Sequence, residues 1–331
     1  MMDTDAAVTK PGIVVIGRNE GDRLRRCLQS VIHHVDHVVY VDSGSTDQSV
    51  TLARQLGAQV VELDLSVPFT AARARNQGFY ELMRVAPDLE YVQFIDGDCE
   101  IQPGWLNAAS SFLSGNADFA VVAGRRRERF PERSIFNRMC DEEWNTPVGE
   151  TLACGGDAMM RTQALQLVRG YRDNLIAGEE PELCLRLREQ GFRIMRLDVE
   201  MTAHDANMLH FSQWWKRTQR AGHAYAEGTS LHGWKPERHY ARETLRGIGW
   251  GIVLPLLILV LSIAISPWLG LMLALIYPLQ IVRLALRNQP SGQRWSHATY
   301  LMLGKFAEAQ GILQFLLRKL LNRSSTLIEY K

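Results

Sequence analysis

The stretch Glu90-Tyr-Val-Gln-Phe-Ile-Asp96-Gly97-Asp98-Cys99 decides the fold of this chain. Tyr91 to Ile95 is a short run of apolar, aromatic and β-branched residues, long enough for a buried strand and too short for a helix. The run ends in two carboxylates, separated by a glycine that lets the backbone turn sharply. Residues two apart on an extended chain point the same way, so these carboxylates repel unless a cation lies between them. The pair predicts a site for Mg²⁺ or Mn²⁺, which prefer oxygen ligands; the alternative is an acidic turn after a strand.

Length and composition indicate a folded chain of one large or two small domains. The 331 residues are 46% apolar and 22% charged. Lys and Arg (37) nearly balance Asp and Glu (36), so the net charge does not point to nucleic acid as a partner. The five cysteines contain no Cys-x-x-Cys pair, which favours reduced thiols in a cytoplasmic compartment. Residues 1–10 are polar, and we expect a flexible N-terminus rather than a signal peptide.

Strand-like and helix-like segments alternate through the first part of the chain. The predicted strands are Gly12–Ile16, His37–Val41, Gln59–Leu63 and Tyr91–Ile95, and the predicted helices are Asp22–Ile32, Ser45–Leu56 and Ala71–Met83. This alternation implies right-handed βαβ units in a parallel sheet, with ligands at the carboxyl ends of the strands. Asn19-Glu20, Asp42-Ser43-Gly44 and Asp96-Gly97-Asp98 all fall at such ends. Three polar strand ends on one edge predict a nucleotide site.

In this order, these motifs resemble those of glycosyltransferase family 2, over residues 11–232. The resemblance implies the GT-A fold, an α/β architecture with a Rossmann-like, mostly parallel sheet flanked by helices. The matching motifs are Ile16-Gly-Arg-Asn19-Glu20, Val41-Asp-Ser-Gly-Ser-Thr-Asp47, Ala74-Arg-Asn76, Asp96-Gly-Asp98, Cys154-Gly-Gly-Asp-Ala-Met-Met-Arg161, Gly178-Glu-Glu-Pro-Glu-Leu183, His204-Asp205 and Gln213-Trp-Trp-Lys-Arg217. Two positions depart from the family pattern: Gly17 replaces a frequent proline, and Glu179-Glu180 replaces the usual Glu-Asp pair.

The resemblance assigns a nucleotide-sugar donor to the first strand ends. Glu20 and Asp42 would accept hydrogen bonds from the base and ribose, and Asn19 and Gly44 would belong to the same donor-binding edge. Asp42 also fits an ordinary turn former, because Asp-Ser-Gly-Ser is common turn chemistry.

The resemblance also implies a phosphate contact and a divalent metal ion, Mn²⁺ or Mg²⁺. Arg75, rather than Arg73, would contact the phosphates through its guanidinium fork; the alternative for both is a solvated helix face. Asp96 would hold the ribose or the metal, and Asp98 would coordinate the metal directly. His204 is expected to be either a further metal ligand or a structural histidine.

The loop Gly178-Glu-Glu-Pro is predicted to lead into a helix that begins at Pro181 and ends at Gly191. Glu180 would then lie near the positive end of the helix dipole, which favours its carboxylate form. With the family context, Glu180 is expected to be the general base for an inverting transfer, and Glu179 is the alternative. Without that context, these glutamates would simply neutralise the helix end.

Four residues are candidates for acceptor or sugar contacts: Asp157, Trp214, Trp215 and Arg217. The tryptophans could stack on sugar rings or pack a helix. The segment Gln213-Trp-Trp-Lys-Arg217 resembles the Gln-x-x-Arg-Trp element of processive family members, but its aromatic residues are at other positions, which favours single-sugar transfer over processive synthesis. The run Arg125-Arg-Arg-Glu-Arg129 could contact an anionic acceptor, and a solvated strand end is the alternative.

No charged residue occurs between Arg246 and Arg283, a run long enough to cross a bilayer. Ser266-Pro267 is a natural break, which predicts a transmembrane hairpin of Gly247–Ser266 and Pro267–Leu286. A re-entrant pair and a buried soluble hairpin are the alternatives. Both flanks are basic, so both ends are expected in the cytoplasm.

Beyond the hairpin, Thr299 to Leu321 is predicted to form an amphipathic helix at the membrane surface, or equally an oligomer contact. The predicted organisation is a flexible N-terminus (1–10), a GT-A domain (11–232), a linker (233–246), a transmembrane hairpin (247–286) and an amphipathic helix with a tail (287–331). We therefore expect a multi-pass inner-membrane protein with a cytoplasmic catalytic domain.

The predicted activity is inverting transfer from a nucleotide-diphosphate sugar, a UDP-sugar, to a hydroxyl of a lipid-linked or cell-envelope glycan. A polyprenyl-phosphate sugar transferase is the alternative enzyme. The non-enzymatic alternative is a membrane assembly protein with a degenerate nucleotide domain. The expected partners are donor, acceptor and membrane lipid, with a homo-oligomer as a further option through the C-terminal helices.

Overall fold

The computed structural model describes residues 10–287, 293–322 and 328. Residues 1–9 of the predicted flexible N-terminus and most of the predicted tail lie outside this part of the chain. The chain forms two compact units: the first runs to Leu175 and includes Glu179–Asn207, and the second comprises Ile176–Gly178 and the chain from Met208. The predicted domain boundary at residue 232 therefore differs from the structure, in which the chain changes unit at residue 208.

The first unit is built on one mixed sheet. Its strands are β1 (Gly12–Gly17), β2 (Val38–Asp42), β3 (Gln59–Glu62), β4 (Tyr91–Asp96), β5 (Cys99–Ile101), β6 (Phe119–Glu128), β7 (Gly149–Thr151), β8 (Ala158–Arg161) and β9 (Arg193–His204). Among the described residues the strand order is β3-β2-β1-β4-β8-β6-β9-β5, and β7 pairs with β9.

Strands β1 to β4 are parallel, as the alternating pattern predicts. Their apolar runs are buried on both faces; Ile13, Val14 and Val15, for example, have no exposed surface. Strands covered on both faces read as continuous apolar runs, which is why the sequence located them. Because β1, β2 and β4 run in one direction, their polar ends lie on one edge of the sheet.

The strand that leads to His204 is not at an edge of the sheet. The sequence Leu197–Thr202, just before His204, predicts an edge strand. The structure corrects this, because β9 pairs with β6 over most of its length and also with β5 and β7. The β6–β9 pairing contains register shifts between Phe119 and Arg126. Such long-range, irregular pairing leaves no periodic signal in either strand.

Helices of the first unit pack against this sheet. They are α1 (Asp22–Gln29), α2 (Ser49–Gln55), α3 (Ala71–Val85), α4 (Trp105–Gly115), α5 (Ile135–Trp144), α6 (Thr162–Leu167) and α7 (Glu179–Glu189). Helix α3 approaches the sheet at Gly78, where a Cβ atom would overlap the side chains of Val14 and Val41. This close approach brings Arg75, one turn earlier on α3, to the carboxyl edge.

The second unit is helical in its described residues. Its helices are α8 (Phe211–His232), α9 (Ala241–Ile248), α10 (Leu254–Ala264), α11 (Pro267–Ala274), α12 (Ile276–Arg287) and α13 (Arg294–Leu320), with a π-helical turn at Gly249–Val253 between α9 and α10.

Two stretches of this unit, Ala241–Ala264 and Pro267–Arg287, are long and apolar enough to cross a membrane, judged by length and composition. They meet at the predicted break, where Ser266 caps α11 by accepting a hydrogen bond from the amide of Trp268 at 3.3 Å. The first helix begins earlier than predicted, within the segment expected to be a linker.

The amphipathic helix predicted over Thr299–Leu321 runs from Arg294 to Leu320, and one of its faces is covered by α8. A Cβ atom at Gly311 would overlap the backbone at Gln219, and one at Gly222 would overlap the backbone at Glu308. These glycines let the two helices pack closely, which is why α8 belongs to the second unit. The covered face is therefore not free for lipid or for a second copy of the chain.

Candidate active site

Arg75 joins three carboxylates at the carboxyl edge of the sheet. Its Nη1 lies 3.0 Å from Glu179 Oε1 and 2.9 Å from Glu180 Oε1, and its Nη2 lies 2.9 Å from Asp96 Oδ1. Only 3% of the Arg75 side chain is exposed. The backbone at Gly156 passes directly against this guanidinium, and a Cβ atom there would lie 2.5 Å from Nη2. The predicted phosphate ligand thus links the predicted base to the predicted donor carboxylate.

The two glutamates begin α7, which starts at Glu179 rather than at the predicted Pro181. Glu180 keeps 13% of its side chain exposed and Glu179 keeps 5%. Burial, reinforced by the neighbouring Glu179 charge and opposed by Arg75, raises the pKa of Glu180 to about 7. Burial therefore acts against the helix dipole, which favours the carboxylate form. A pKa near neutrality suits a general base.

Asp98 and His204 lie together, with Nε2 of the imidazole 3.2 Å from Asp98 Oδ2. Both side chains are buried, and burial followed by the charge of Arg126 lowers the pKa of His204 to about 3. A neutral imidazole beside a carboxylate is a fitting pair of ligands for a divalent cation. Nδ1 of His204 has no hydrogen-bond partner among the described residues. The structure thus brings together two of the three predicted metal ligands, Asp98 and His204, which are 106 positions apart in the chain.

Asp96 contacts a different set of residues from Asp98. Its oxygens contact Arg75 at 2.9 Å and Arg126 at 3.4 Å. Its backbone amide donates to Asp157 Oδ1 at 3.0 Å, and the other Asp157 oxygen accepts from Thr202 at 2.8 Å. Asp157 is fully buried, so this candidate for acceptor contact instead holds the end of β4 in place.

The sequence did not identify Arg126 and Trp144 as residues at the centre of this site. The guanidinium of Arg126 lies 4.7 Å from the centre of the Trp144 ring, and that ring packs edge-on against His204 at 4.7 Å. Arg126 also lies 3.6 Å from Asp157. The arginine run signalled a cationic strand but not which member points inward, and nothing local marked Trp144.

The ends of β1 and β2 are joined by a local hydrogen-bond network. Asn19, at a positive φ of 55°, accepts from the amide of Thr46 at 2.8 Å and donates its own amide to Ser45 Oγ at 2.9 Å. Asp42 accepts from the amides of Gly44 and Ser45 at 2.9 and 2.8 Å. Its other oxygen accepts from the hydroxyl of Tyr40 at 2.9 Å, so its structural role is that of a turn former.

Glu20 and Gly44 complete this edge. The Glu20 carboxylate lies 2.8 Å from the Arg23 guanidinium and keeps 11% of its side chain exposed. Gly44 has a φ of 86°, and a Cβ atom there would lie 3.0 Å from the Leu65 side chain. The structure brings these predicted donor residues to one edge.

The remaining acceptor candidates have other partners. Each arginine of the 125–129 run pairs with a carboxylate: Arg125 with Asp198, Arg126 with Asp96, Arg127 with Asp141 and Arg129 with Glu100. In the second unit, Trp214 is buried against Phe211 and Tyr300, and Trp215 donates to Gln310 at 2.8 Å. The helix-packing alternative therefore describes Trp214. Arg217 lies on the same helix, α8.

The family model for glycosyl transferase family 2 matches residues 12–166, which contain Asp96, Asp98 and the Arg75 motif. Over these residues, which are just under half of the chain, the sequence is that of a family 2 glycosyltransferase. The match covers the strands that form the donor edge and ends before the two glutamates on α7.

Two relatives and one solved structure extend this result. A mannosyltransferase of Pyrobaculum calidifontis, solved with GDP-Man and Mn²⁺, superposes with a TM-score of 0.62 at 18% identity, over 92% of this chain and 87% of that one. This similarity shows the GT-A fold. Glycosyltransferase AglE of Haloferax volcanii is 22% identical over 63% of this chain and 71% of its own length. A TPR repeat-containing protein of Synechococcus elongatus is 32% identical over 29% of this chain, and the match spans only 22% of that protein.

Proposed function

We propose that this glycosyltransferase moves a sugar from a nucleotide-diphosphate sugar, a UDP-sugar, to a hydroxyl of a lipid-linked or cell-envelope glycan, with inversion at the anomeric carbon. The observation that carries the proposal is the arrangement around Arg75, which links Glu180 to Asp96 beside the Asp98–His204 pair. A base, a donor carboxylate and a pair of metal ligands thus lie on one edge of the first unit. We assign the transfer chemistry to this unit.

Glu180 is the general base in this proposal. Its carboxylate removes the acceptor proton while the hydroxyl attacks the anomeric carbon opposite the departing diphosphate, which inverts the configuration. Arg75 holds Glu180 through Nη1 at 2.9 Å, and Glu179, which is less exposed, shares the same nitrogen. Glu179 therefore serves to orient the arginine and to tune the base.

Asp98 and His204 would hold Mn²⁺ or Mg²⁺, and Asp96 would face the donor from the other side of Gly97. The bound ion supplies positive charge for the departing diphosphate. The 28% exposure of the Asp96 side chain leaves it open to the donor, whereas Asp98 is almost fully buried. Asn19, Glu20 and Gly44 would line the nucleoside side, with Asp42 shaping the turn between them.

The two apolar helices support a membrane location, and we assign membrane attachment to the second unit. In this proposal they form a hairpin in the inner membrane, with the first unit and the chain beyond Arg287 both cytoplasmic. Cysteine labelling at a residue after Leu321 in intact cells tests this topology. Labelling is expected only after the membrane is opened, and labelling from outside would mean an odd number of crossings.

The function is tested by thermal unfolding of the full chain in detergent with a panel of nucleotide sugars, each with and without Mn²⁺. A donor that binds the folded state raises the unfolding temperature by mass action. We expect stabilisation by a UDP-sugar that depends on Mn²⁺, followed by slow donor hydrolysis without acceptor. Binding without any hydrolysis or transfer would favour the non-catalytic alternative, and no stabilisation by any nucleotide would reject the donor site.

A further inference from the structure

The thiol of Cys99 lies where two groups of ligand atoms meet. Its Sγ is 3.7 Å from Asp98 Oδ1. The ligand atoms of Asp98, Cys99 and His204 all lie within 4.8 Å of one another, and the same holds for Asp96, Cys99 and Asp157. Cys99 is therefore common to both groups, and it is 1% exposed.

Backbone pairing fixes the thiol beside the imidazole. Cys99 is the first residue of β5, and in the antiparallel β5–β9 ladder it lies directly opposite His204. The next backbone bond of this junction joins the amide of Asp205 to the carbonyl of Asp98 at 3.1 Å. Residues directly opposite one another in such a ladder have Cβ atoms about 4.5–5.5 Å apart. This register, together with the position of Asp98 next to Cys99 in the chain, brings the ligand atoms of Asp98, Cys99 and His204 close to one another.

We propose that Cys99 is a third protein ligand of the ion held by Asp98 and His204, and that it shifts the site towards thiophilic divalent ions such as Zn²⁺ and Co²⁺. The proposal rests on the metal-dependent function proposed above. Ligation replaces the S–H proton by the metal ion, and the proton leaves to solvent, so no oxidant or reductant is needed. Oxygen ligands alone suit Mg²⁺ and Mn²⁺, whereas a thiolate beside an imidazole suits Zn²⁺.

Cys27 provides a matched control. It is also a fully buried cysteine of the first unit, and its Sγ contacts the backbone carbonyl of Asp96 at 3.7 Å. Among the described residues, the two ligand groups contain Cys99 and not Cys27. The two thiols therefore share burial and neighbourhood but differ in access to the metal ligands.

The experiment uses the full chain in detergent, with Co²⁺ as the probe. A thiolate bound to Co²⁺ gives a near-ultraviolet charge-transfer absorption that oxygen and nitrogen ligands do not give. We expect this band in the wild-type protein and in Cys27→Ser, and its loss in Cys99→Ser. Zinc affinity, measured by competition with a chromogenic chelator, should fall at least about 10–100-fold in Cys99→Ser, since even outer-shell partners of a metal ligand contribute that much. Affinity for Mn²⁺, followed by electron paramagnetic resonance, should change little.

The outcomes separate this inference from the proposed function. Binding of Mn²⁺ and Co²⁺ without a thiolate band overturns the role of Cys99 and leaves the metal-dependent transferase standing. A band that persists in Cys99→Ser assigns the thiolate to another cysteine and also overturns the inference. Failure of every divalent ion to bind rejects both. The wild-type spectrum alone decides the first case, so the test does not depend on the folding of the variant.

Discussion

The two halves of the sheet edge satisfy their polar groups in different ways. At the ends of β1 and β2, the carboxylate of Asp42 binds backbone amides two and three residues later. At the end of β4 and the start of α7, the carboxylates bind arginine side chains from distant segments; Arg75 and Glu179 are 104 positions apart. The first half is thus a set of formed turns, and the second is a network of charges.

This difference predicts different roles for the two halves, one in the conformation of the edge and one in the reaction. A carboxylate that caps a turn has its charge spread over fixed amide dipoles and contributes mainly to the conformation of the loop. A carboxylate held by a buried guanidinium responds to any change of charge nearby, because a low-dielectric interior screens little. We therefore expect substitutions in the charge network to affect the reaction, and substitutions in the turns to affect stability first.

The largest effect is expected at Asp98. Asp98→Ala removes a carboxylate that lies 3.2 Å from His204, and with it the proposed anchor of the metal ion. Turnover should be abolished, and stabilisation by nucleotide should no longer depend on Mn²⁺. The measurement is thermal unfolding with nucleotide and Mn²⁺ beside a transfer assay. Without ligand the variant should still show a cooperative unfolding transition, which is the control for an intact fold. Unchanged metal-dependent binding would remove Asp98 from the site.

Glu180 should give the next largest effect. Glu180→Gln removes the proposed base but keeps its size, so single-turnover transfer should slow by about 10²–10⁴-fold. Donor affinity should be nearly unchanged, because the acceptor proton and not the diphosphate is the target of this group.

Glu179→Gln is the matched variant, since both glutamates contact the same nitrogen of Arg75. It should be milder, because Glu179 is the more buried of the two. A dead Glu179→Gln beside an active Glu180→Gln would move the base by one residue. A small effect in both would favour the polyprenyl-phosphate alternative, whose acceptor arrives already ionised.

The raised pKa of Glu180 predicts the pH dependence of the chemical step. With its pKa near 7, the carboxyl gains its proton as the pH falls below neutrality, and a protonated carboxyl cannot act as base. The single-turnover rate at saturating donor and metal should therefore rise with pH and level off above about 7, falling about tenfold per unit on the acid side. In Glu180→Gln the residual rate should lack this acid limb. An unchanged limb in that variant would assign it to another group.

The sequence predicted one half of the edge better than the other for a physical reason. The strands β1 to β4 and their turns follow from local apolar runs and turn residues, and the structure confirms the parallel order. The link from Arg75 to Glu180 depends on how α3 and α7 pack, which no local pattern encodes. The interior position of β9 was missed for the same reason, because it depends on pairing with the distant β6. From the sequence alone, Gly222 and Gly311 are residues that destabilise a helix, and their role in close packing is evident only once the facing helix is known.

The smallest effect on the reaction is expected at Asp42, and it tests the comparison from the side of the turns. Asp42→Ala leaves the part-buried backbone amides of Gly44 and Ser45 and the buried hydroxyl of Tyr40 without their acceptor. Unsatisfied buried groups cost about 1–3 kcal/mol, so the free energy of unfolding in urea should fall by about that amount. Asp64→Ala is the control, because Asp64 caps Ser66 in the same manner on the surface and should cost less.

Donor affinity in Asp42→Ala should fall only as far as the turn loosens, and raising the Mn²⁺ and donor concentrations should restore the rate. Normal stability with a collapse of nucleotide affinity would instead mean that Asp42 contacts the donor directly, since a carboxylate offers about four acceptor positions and the turn uses three.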